Sequence, residues 1–191
     1  MNLPRKNILT KNQVRVLIEK MAKTILKTVP EPTAEWVVVG IQRRGVPLAE
    51  RLGRHLADAG VPRPPVGTLD ITFYRDDMDE VALHPIVQDT DIPFDVTGKV
   101  VLLVDDVLYT GRTIRSALDE LMDFGRPKKI YLVVLVDRGH RELPIHADVA
   151  GETVSTAADE MVEVHLEEID GEDAVWLRSP GKESPGRKGA R

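Results

Sequence analysis

Two adjacent carboxylates, Asp105 and Asp106, stand in the stretch VVLLVDDVLYTGRTIR (Val100–Arg115), between an apolar run and a Thr-Gly turn. Such a pair can hold sugar hydroxyls, directly or through a metal ion. Next to it lie Val107, Leu108 and Tyr109, then the hydroxyls of Thr110 and Thr113 with Gly111 and Arg112 between them. Those hydroxyls, a flexible glycine and the unpaired N–H groups of a helix start make a cradle for a phosphate. Together these residue types describe a site for a sugar phosphate. Paired Asp at a strand end also serves in turns and helix caps, so the spacing alone leaves that alternative open.

A second cationic turn, Gln42-Arg43-Arg44-Gly45, follows another apolar run. Two guanidinium groups beside a helix start suit a pyrophosphate better than a single phosphate; solvated surface arginines are the alternative. Arg75 is a further candidate contact to the same anion, with a surface role as its competitor. Lys20, Lys23 and Lys27 fall on one side of a helix, where a solvated face is the plain reading.

The elements that must position these groups follow from periodicity. Val100–Val104, Trp36–Ile41 and Ile130–Val136 are apolar, mostly β-branched runs, as expected of strands buried on both faces. Thr10 with Gln13 reads as a capping box, and Val14, Leu17, Ile18, Met21, Ile25 and Leu26 recur at helical spacing over 11–28. Further helices are expected from Pro47 to Ala59 and from Arg112 to about Gly125, with a strand over Val66–Tyr74. Strand, helix and strand alternating in this way predict an α/β fold around a parallel sheet. Its loops at 42–45, 105–113 and 137–144 then meet on one rim.

The polar segment from Arg75 to Gly98 is long for a compact domain, and long loops of this kind often close over sites. From His146 the pattern changes. Ala147–Val149, Met161–Ile169 and Ala174–Leu177 read as short antiparallel pieces, with Asp170-Gly171 as a hairpin turn. One domain is expected over 1–178, carrying a hood made mainly from about 146–178 with the N-terminal region, and a disordered tail over 179–191.

At 191 residues, 42% hydrophobic and 30% charged, the chain can bury a full core, and its net charge of -5 gives no overall attraction to nucleic acid. It has no cysteine, no apolar run near the roughly 18 residues of a membrane span and no signal-peptide pattern, so a cytoplasmic enzyme is expected.

The Val100–Arg115 string closely resembles the phosphoribosyl pyrophosphate signature of type I phosphoribosyltransferases. LDITFYRDD (Leu69–Asp77) and LVDRGHRELPI (Leu135–Ile145) narrow the resemblance, over nearly the whole chain, to bacterial pyrimidine-operon attenuation regulators that are also uracil phosphoribosyltransferases. That resemblance implies the type I fold with a hood and a flexible active-site loop. It implies the reaction of uracil with phosphoribosyl pyrophosphate to UMP and pyrophosphate with magnesium, few protein ligands to that metal, and a homodimer or higher homo-oligomer.

By the same resemblance, residues 105–113 bind the phosphoribosyl group and Arg43, Arg44 and Arg75 the pyrophosphate. Arg138, with main-chain groups near Val162, takes the uracil side. Control by UMP or UTP of binding to pyr mRNA is implied too, through Lys20, Lys23, His140 and Arg141. Three positions depart from that family's usual pattern: Arg43 replaces a threonine, His146 an arginine and Glu152 a lysine. A carboxylate in place of a cation weakens RNA contact. A regulator with vestigial catalysis and a transferase for another base without RNA binding are the competing readings.

Overall fold

The computed structural model describes residues 5–71 and 90–179. Arg75, the rest of the segment before Thr90 and the tail from residue 180 lie outside the described residues.

The expected first helix, α1 (Lys11–Thr28), forms as written, and the Gln13 side chain accepts the Thr10 backbone N–H at 2.9 Å. Its apolar stripe, Val14 to Ile25, is buried. Strand β2 (Trp36–Ile41) is buried along its whole length, and helix α2 (Gly45–Asp58) follows it. That helix begins two residues before Pro47, where it was expected to start. The earlier start places Gly45 against β4 (Val100–Leu108), at a point with no room for a Cβ atom. β3 (Val66–Leu69) ends sooner than expected, and Thr68 there exchanges backbone hydrogen bonds with Asp91.

β4 runs on through Asp105 and Asp106 to Leu108, so the two carboxylates lie within the strand rather than in a loop after it. Helix α3 (Arg112–Asp123) and strand β5 (Lys129–Asp137) come next. With β6 (Val149–Thr153) these strands form a five-stranded sheet of order β3-β2-β4-β5-β6, every neighbouring pair parallel. Successive residues of β2 and β4 face opposite sides. Trp36, Val38, Leu102 and Val104 pack with α1 and α2, while Val37, Val39, Val101 and Leu103 pack with Ile114, Ala117 and Leu121 of α3. Each such fully buried aliphatic side chain contributes about 1.5–3 kcal/mol relative to exposure.

The strand at Val149 departs from the antiparallel piece expected there. It joins the main sheet parallel to β5, Val133 opposite Val149 and Asp137 opposite Thr153. The irregular 138–148 connection supplies the crossover that a parallel pair requires. The hood is a separate three-stranded antiparallel sheet of β1 (Arg5–Leu9), β8 (Ala174–Arg178) and β7 (Met161–His165), in that order. Between β7 and β8 lies one helical turn, α4 (Glu167–Asp170), closed by Gly171 in the left-handed region at φ 75°. Among the described residues, no helix is long and apolar enough to cross a membrane.

Candidate active site at the β2–β4 crevice

From β2 the chain moves outward to β3, and from β4 it moves the other way to β5 and β6. The crevice between β2 and β4 is therefore the topological switch point, where open parallel sheets bind ligands. β2 pairs with β4 only as far as Gly40 opposite Val104. Beyond it β2 turns away into residues 42–44, and Asp105 and Asp106 stand where the strand has lost that neighbour. The sheet thus delivers the carboxylates and the cationic turn to one place.

Each carboxylate is fixed locally. Asp105 Oδ1 accepts the Asp106 N–H at 2.9 Å, and Asp106 Oδ1 accepts the Val107 N–H at 2.8 Å. Burial pushes the Asp106 carboxyl above the usual carboxylate range, and the nearby Arg44 charge opposes that rise.

The expected phosphate cradle coincides with a cavity of about 300 Å³ lined by Val107 to Thr113 with Ile114, Ser116 and Glu142. Gly111 caps α3 with φ 93°, and a Cβ there would also press on Ile145 and Leu143 at 3.3 and 3.4 Å. Gly111→Ala is expected to cost about 1–2 kcal/mol of stability through the left-handed backbone alone. It should also raise the KM for the phosphorylated substrate, which steady-state kinetics and thermal unfolding would measure.

The 138–145 loop is the cradle's support, a role the sequence reading missed. The Thr110 carbonyl accepts the N–H groups of Glu142 and Leu143 at 3.0 and 3.1 Å, and Arg112 pairs with Glu142 at 2.7 Å. Arg141, expected at the RNA contact, is turned inward. It pairs with Asp137 and donates to the carbonyls of Tyr109 at 2.8 Å, Gly139 at 3.0 Å and Ile145 at 2.9 Å. A guanidinium with that many acceptors in one loop is a structural tie.

His140, beside it at φ 59°, has its Nε2 2.7 Å from the Thr156 carbonyl. Lys20 and Lys23 are exposed on α1, where expected, with Lys23 paired to Glu19 at 2.6 Å. Glu152 is exposed on β6.

Arg138 is buried, its guanidinium 3.9 Å above the centre of the Tyr109 ring and 3.3 Å from both Thr156 Oγ1 and the Ala157 carbonyl. It braces the cradle's rim. Val162 lies elsewhere, on β7, in a cavity of about 290 Å³ shared with Arg44, Asp106, Val164, His165 and other hood residues. The two residues assigned to one ligand face are thus held by different contacts.

Arg43 and Arg44 also diverge. Arg43 is exposed and opens with Gln42, Val46 and Pro47 into a separate cavity beside Glu168 and Ile169. Arg44 makes a two-point pair with Asp170 of the hood, Nε to Oδ2 at 3.0 Å and Nη2 to Oδ1 at 2.7 Å. This hydrogen bonding holds the Asp170 carboxyl below its usual range and the guanidinium above its own.

Comparison with known proteins bears on family and fold. The phosphoribosyl transferase domain model matches residues 4–168. A Bifunctional protein PyrR from Pelotomaculum thermopropionicum is 54% identical over 170 residues, 89% of this chain and 93% of that one. Its namesake from Thermus aquaticus is 60% identical over 140 residues, 73% and 77% of the two chains. The Deinococcus radiodurans protein of that name is 48% identical over 180 residues, 94% and 98%. Among solved structures, a hypoxanthine-guanine phosphoribosyltransferase from Bacillus anthracis superposes with a TM-score of 0.65 at 17% identity, over 94% of this chain and all of that one. The hypoxanthine phosphoribosyltransferase of Trypanosoma cruzi gives 0.65 at 20% identity, over 92% and 97%. At such identities the structural likeness speaks to the fold.

Proposed function

This chain belongs to the phosphoribosyl transferase family, in its type I fold and with Bifunctional protein PyrR chains as relatives, and from that premise we propose that it converts uracil and phosphoribosyl pyrophosphate to UMP and pyrophosphate. We propose as its second activity the binding of pyr mRNA under control of UMP or UTP. The observation that carries the enzymatic reading is the meeting of three features at one crevice. These are the Asp105–Asp106 pair, the Gly111-capped cradle and the Arg43–Arg44 turn.

The reaction breaks the bond from ribose C1 to the pyrophosphate oxygen and forms a bond from C1 to the uracil nitrogen. Charge builds positively on the ribose and negatively on the leaving group, so catalysis is positioning and electrostatic stabilisation. The N–H groups at the start of α3, with the Thr110 and Thr113 hydroxyls, hold the 5′-phosphate. Asp105 and Asp106 take the ribose hydroxyls, and their charge favours the cationic transition state. Arg43, exposed on its turn, meets the pyrophosphate. Main-chain groups of β7 near Val162 meet the uracil, with Arg138 bracing Tyr109 at the rim. Asp106 is the candidate acceptor of the uracil proton.

Among the described residues no three His, Cys, Asp or Glu side chains form a metal-binding group. The donor set at the crevice is a pair of carboxylates beside a phosphate cradle, which fits magnesium held mainly by substrate oxygens and water. There it would draw charge from the leaving pyrophosphate.

The RNA reading rests on the exposed cations of α1, Lys20 and Lys23, with His140. The Lys23–Glu19 pair is exposed to solvent, where such pairs are weak, so a phosphate can displace it. Arg141 is left out of the interface. We place the activity in the cytoplasm, in a homodimer or higher homo-oligomer.

The test is product formation with uracil, hypoxanthine, guanine and orotate in parallel, followed by UMP-dependent binding of a pyr leader RNA. Turnover selective for uracil is expected. Turnover with a purine only would overturn the base assignment. UMP-independent RNA affinity, unchanged by Lys20→Ala with Lys23→Ala, would overturn the regulatory one.

A further inference from the structure

Arg43 and Arg44 are neighbours in sequence, yet their side chains open into different cavities. Arg43 lines the one beside Pro47 and Ile169, and Arg44 the one of about 290 Å³ formed by Asp106 and residues 162–165 of β7. Among the described residues β7 pairs only with β8, which leaves its other edge without a strand partner there, and four consecutive residues of it line this cavity. An open strand edge offers backbone donors and acceptors in a plane, as a flat heterocycle requires. Arg44 lines the same cavity.

Arg44 is kept there from outside the cavity. Asp170 engages its Nε and Nη2, and Asp170 Oδ2 also accepts the Leu166 N–H at 2.9 Å. The turn carrying Asp170 is in turn clasped by the body. Lys11 of α1 pairs with Glu167 at 2.6 Å, and Arg51 of α2 pairs with Glu168 at 2.6 Å and Asp173 at 2.7 Å. With Nε and Nη2 directed to Asp170, Nη1 is the part of the guanidinium left for a ligand, and it can only donate. A donor at this wall matches a ring carbonyl oxygen and opposes a ring amino group.

We propose that Arg44 is a specificity residue on the base side of the site, donating to a carbonyl oxygen of the pyrimidine, and that Asp170 is the positioning residue that holds it there. The inference deepens the proposed function and rests on its assignment of the β7 cavity to the base. It takes Arg44 away from the pyrophosphate, which falls to Arg43. Asp170→Asn keeps the size of the side chain and removes the two-point pair. The Lys11 and Arg51 pairs remain to hold the hood, so the fold should survive, and thermal unfolding checks that it does.

The experiment compares two ligands that share the ribose 5-phosphate group, one with uracil at C1 and one with a hydroxyl. Calorimetry of UMP and ribose 5-phosphate binding is carried out on the wild type, Asp170→Asn, Arg44→Gln and the double variant. Each single variant is expected to weaken UMP about tenfold, leave ribose 5-phosphate within twofold, and raise the KM for uracil more than that for phosphoribosyl pyrophosphate. The double variant should be no worse than Arg44→Gln alone, because both changes remove one contact.

An unchanged UMP preference, or a rise confined to the KM for phosphoribosyl pyrophosphate, overturns the proposal. So does a wild type that binds UMP no tighter than ribose 5-phosphate. A wild type that prefers UMP through Asp170 and Arg44 yet forms none of it would uphold this inference and refute the catalytic reading instead.

Discussion

Replacing Asp105 and Asp106 together by Asn is expected to lower UMP formation by about 10³-fold or more while leaving the protein folded. Asn has nearly the volume of Asp, and its amide oxygen can still accept the Asp106 and Val107 N–H groups now held at 2.9 and 2.8 Å. What disappears is the negative charge that the proposed mechanism sets beside the ribose, where preorganised groups act most strongly on a developing cation.

The effect on stability has the opposite sign from that of a surface ion pair. Burial raises the folded-state pKa of Asp106, so its ionised form opposes folding at any pH above its unfolded value. A neutral amide removes that penalty, and the melting temperature at pH 7 should hold or rise. Steady-state UMP formation with thermal unfolding on the same samples decides the point. Near-normal turnover would reject the assignment, and an unfolded variant would reject the claim that these carboxylates serve chemistry rather than folding.

Gly45→Ala is the substitution expected to damage the fold most. A Cβ at Gly45 would lie 2.4 Å from the Val104 carbonyl oxygen and 3.4 Å from the Asp105 Cα. A Cβ at Gly40 would in turn sit 2.6 Å from the Gly45 oxygen. The first turn of α2 is thus pressed against β4 one residue before Asp105 and Asp106, and backbone cannot move aside as a side-chain tip can.

A loss of about 3 kcal/mol, or about 6–12 °C in melting temperature, is expected, with a raised KM for phosphoribosyl pyrophosphate because the 42–44 turn moves with the helix. Gly53→Ala, in the same helix, is the control. Its nearest neighbour would be Val66 Cγ2 at 3.6 Å, so the better helix propensity should leave stability unchanged or raise it by up to about 1 kcal/mol. Equal melting temperatures for the two variants would show that the close approach at Gly45 is unimportant.

The elements that carry the site were legible because their own burial dictates their composition. Val100–Val104 and Trp36–Ile41 are covered on both faces, so every position is apolar, and α1 shows its single buried stripe at helical spacing. The Thr-Gly turn is equally readable, because Gly111 at φ 93° capping α3 is a local requirement. The strand over 149–153, where Ala147–Val149 reads as an antiparallel piece, is not legible for the converse reason. Its pattern is mixed at an exposed sheet edge, and whether it runs parallel to β5 depends on the path of the irregular segment before it.

By itself, then, the sequence determined the α/β class and the strand–carboxylate–cradle order, both written within stretches of some ten to twenty residues, while the phosphoribosyl chemistry is what the family resemblance of those stretches implies. The tertiary structure alone decided which way each cation faces. Arg141, read as an RNA contact, is drawn in by Asp137 and three carbonyls. Arg44, read with Arg43 as a pyrophosphate ligand, is drawn to a carboxylate on Asp170, more than a hundred residues away. A guanidinium follows the nearest acceptors that folding brings to it, and no periodicity in the chain encodes a partner so distant.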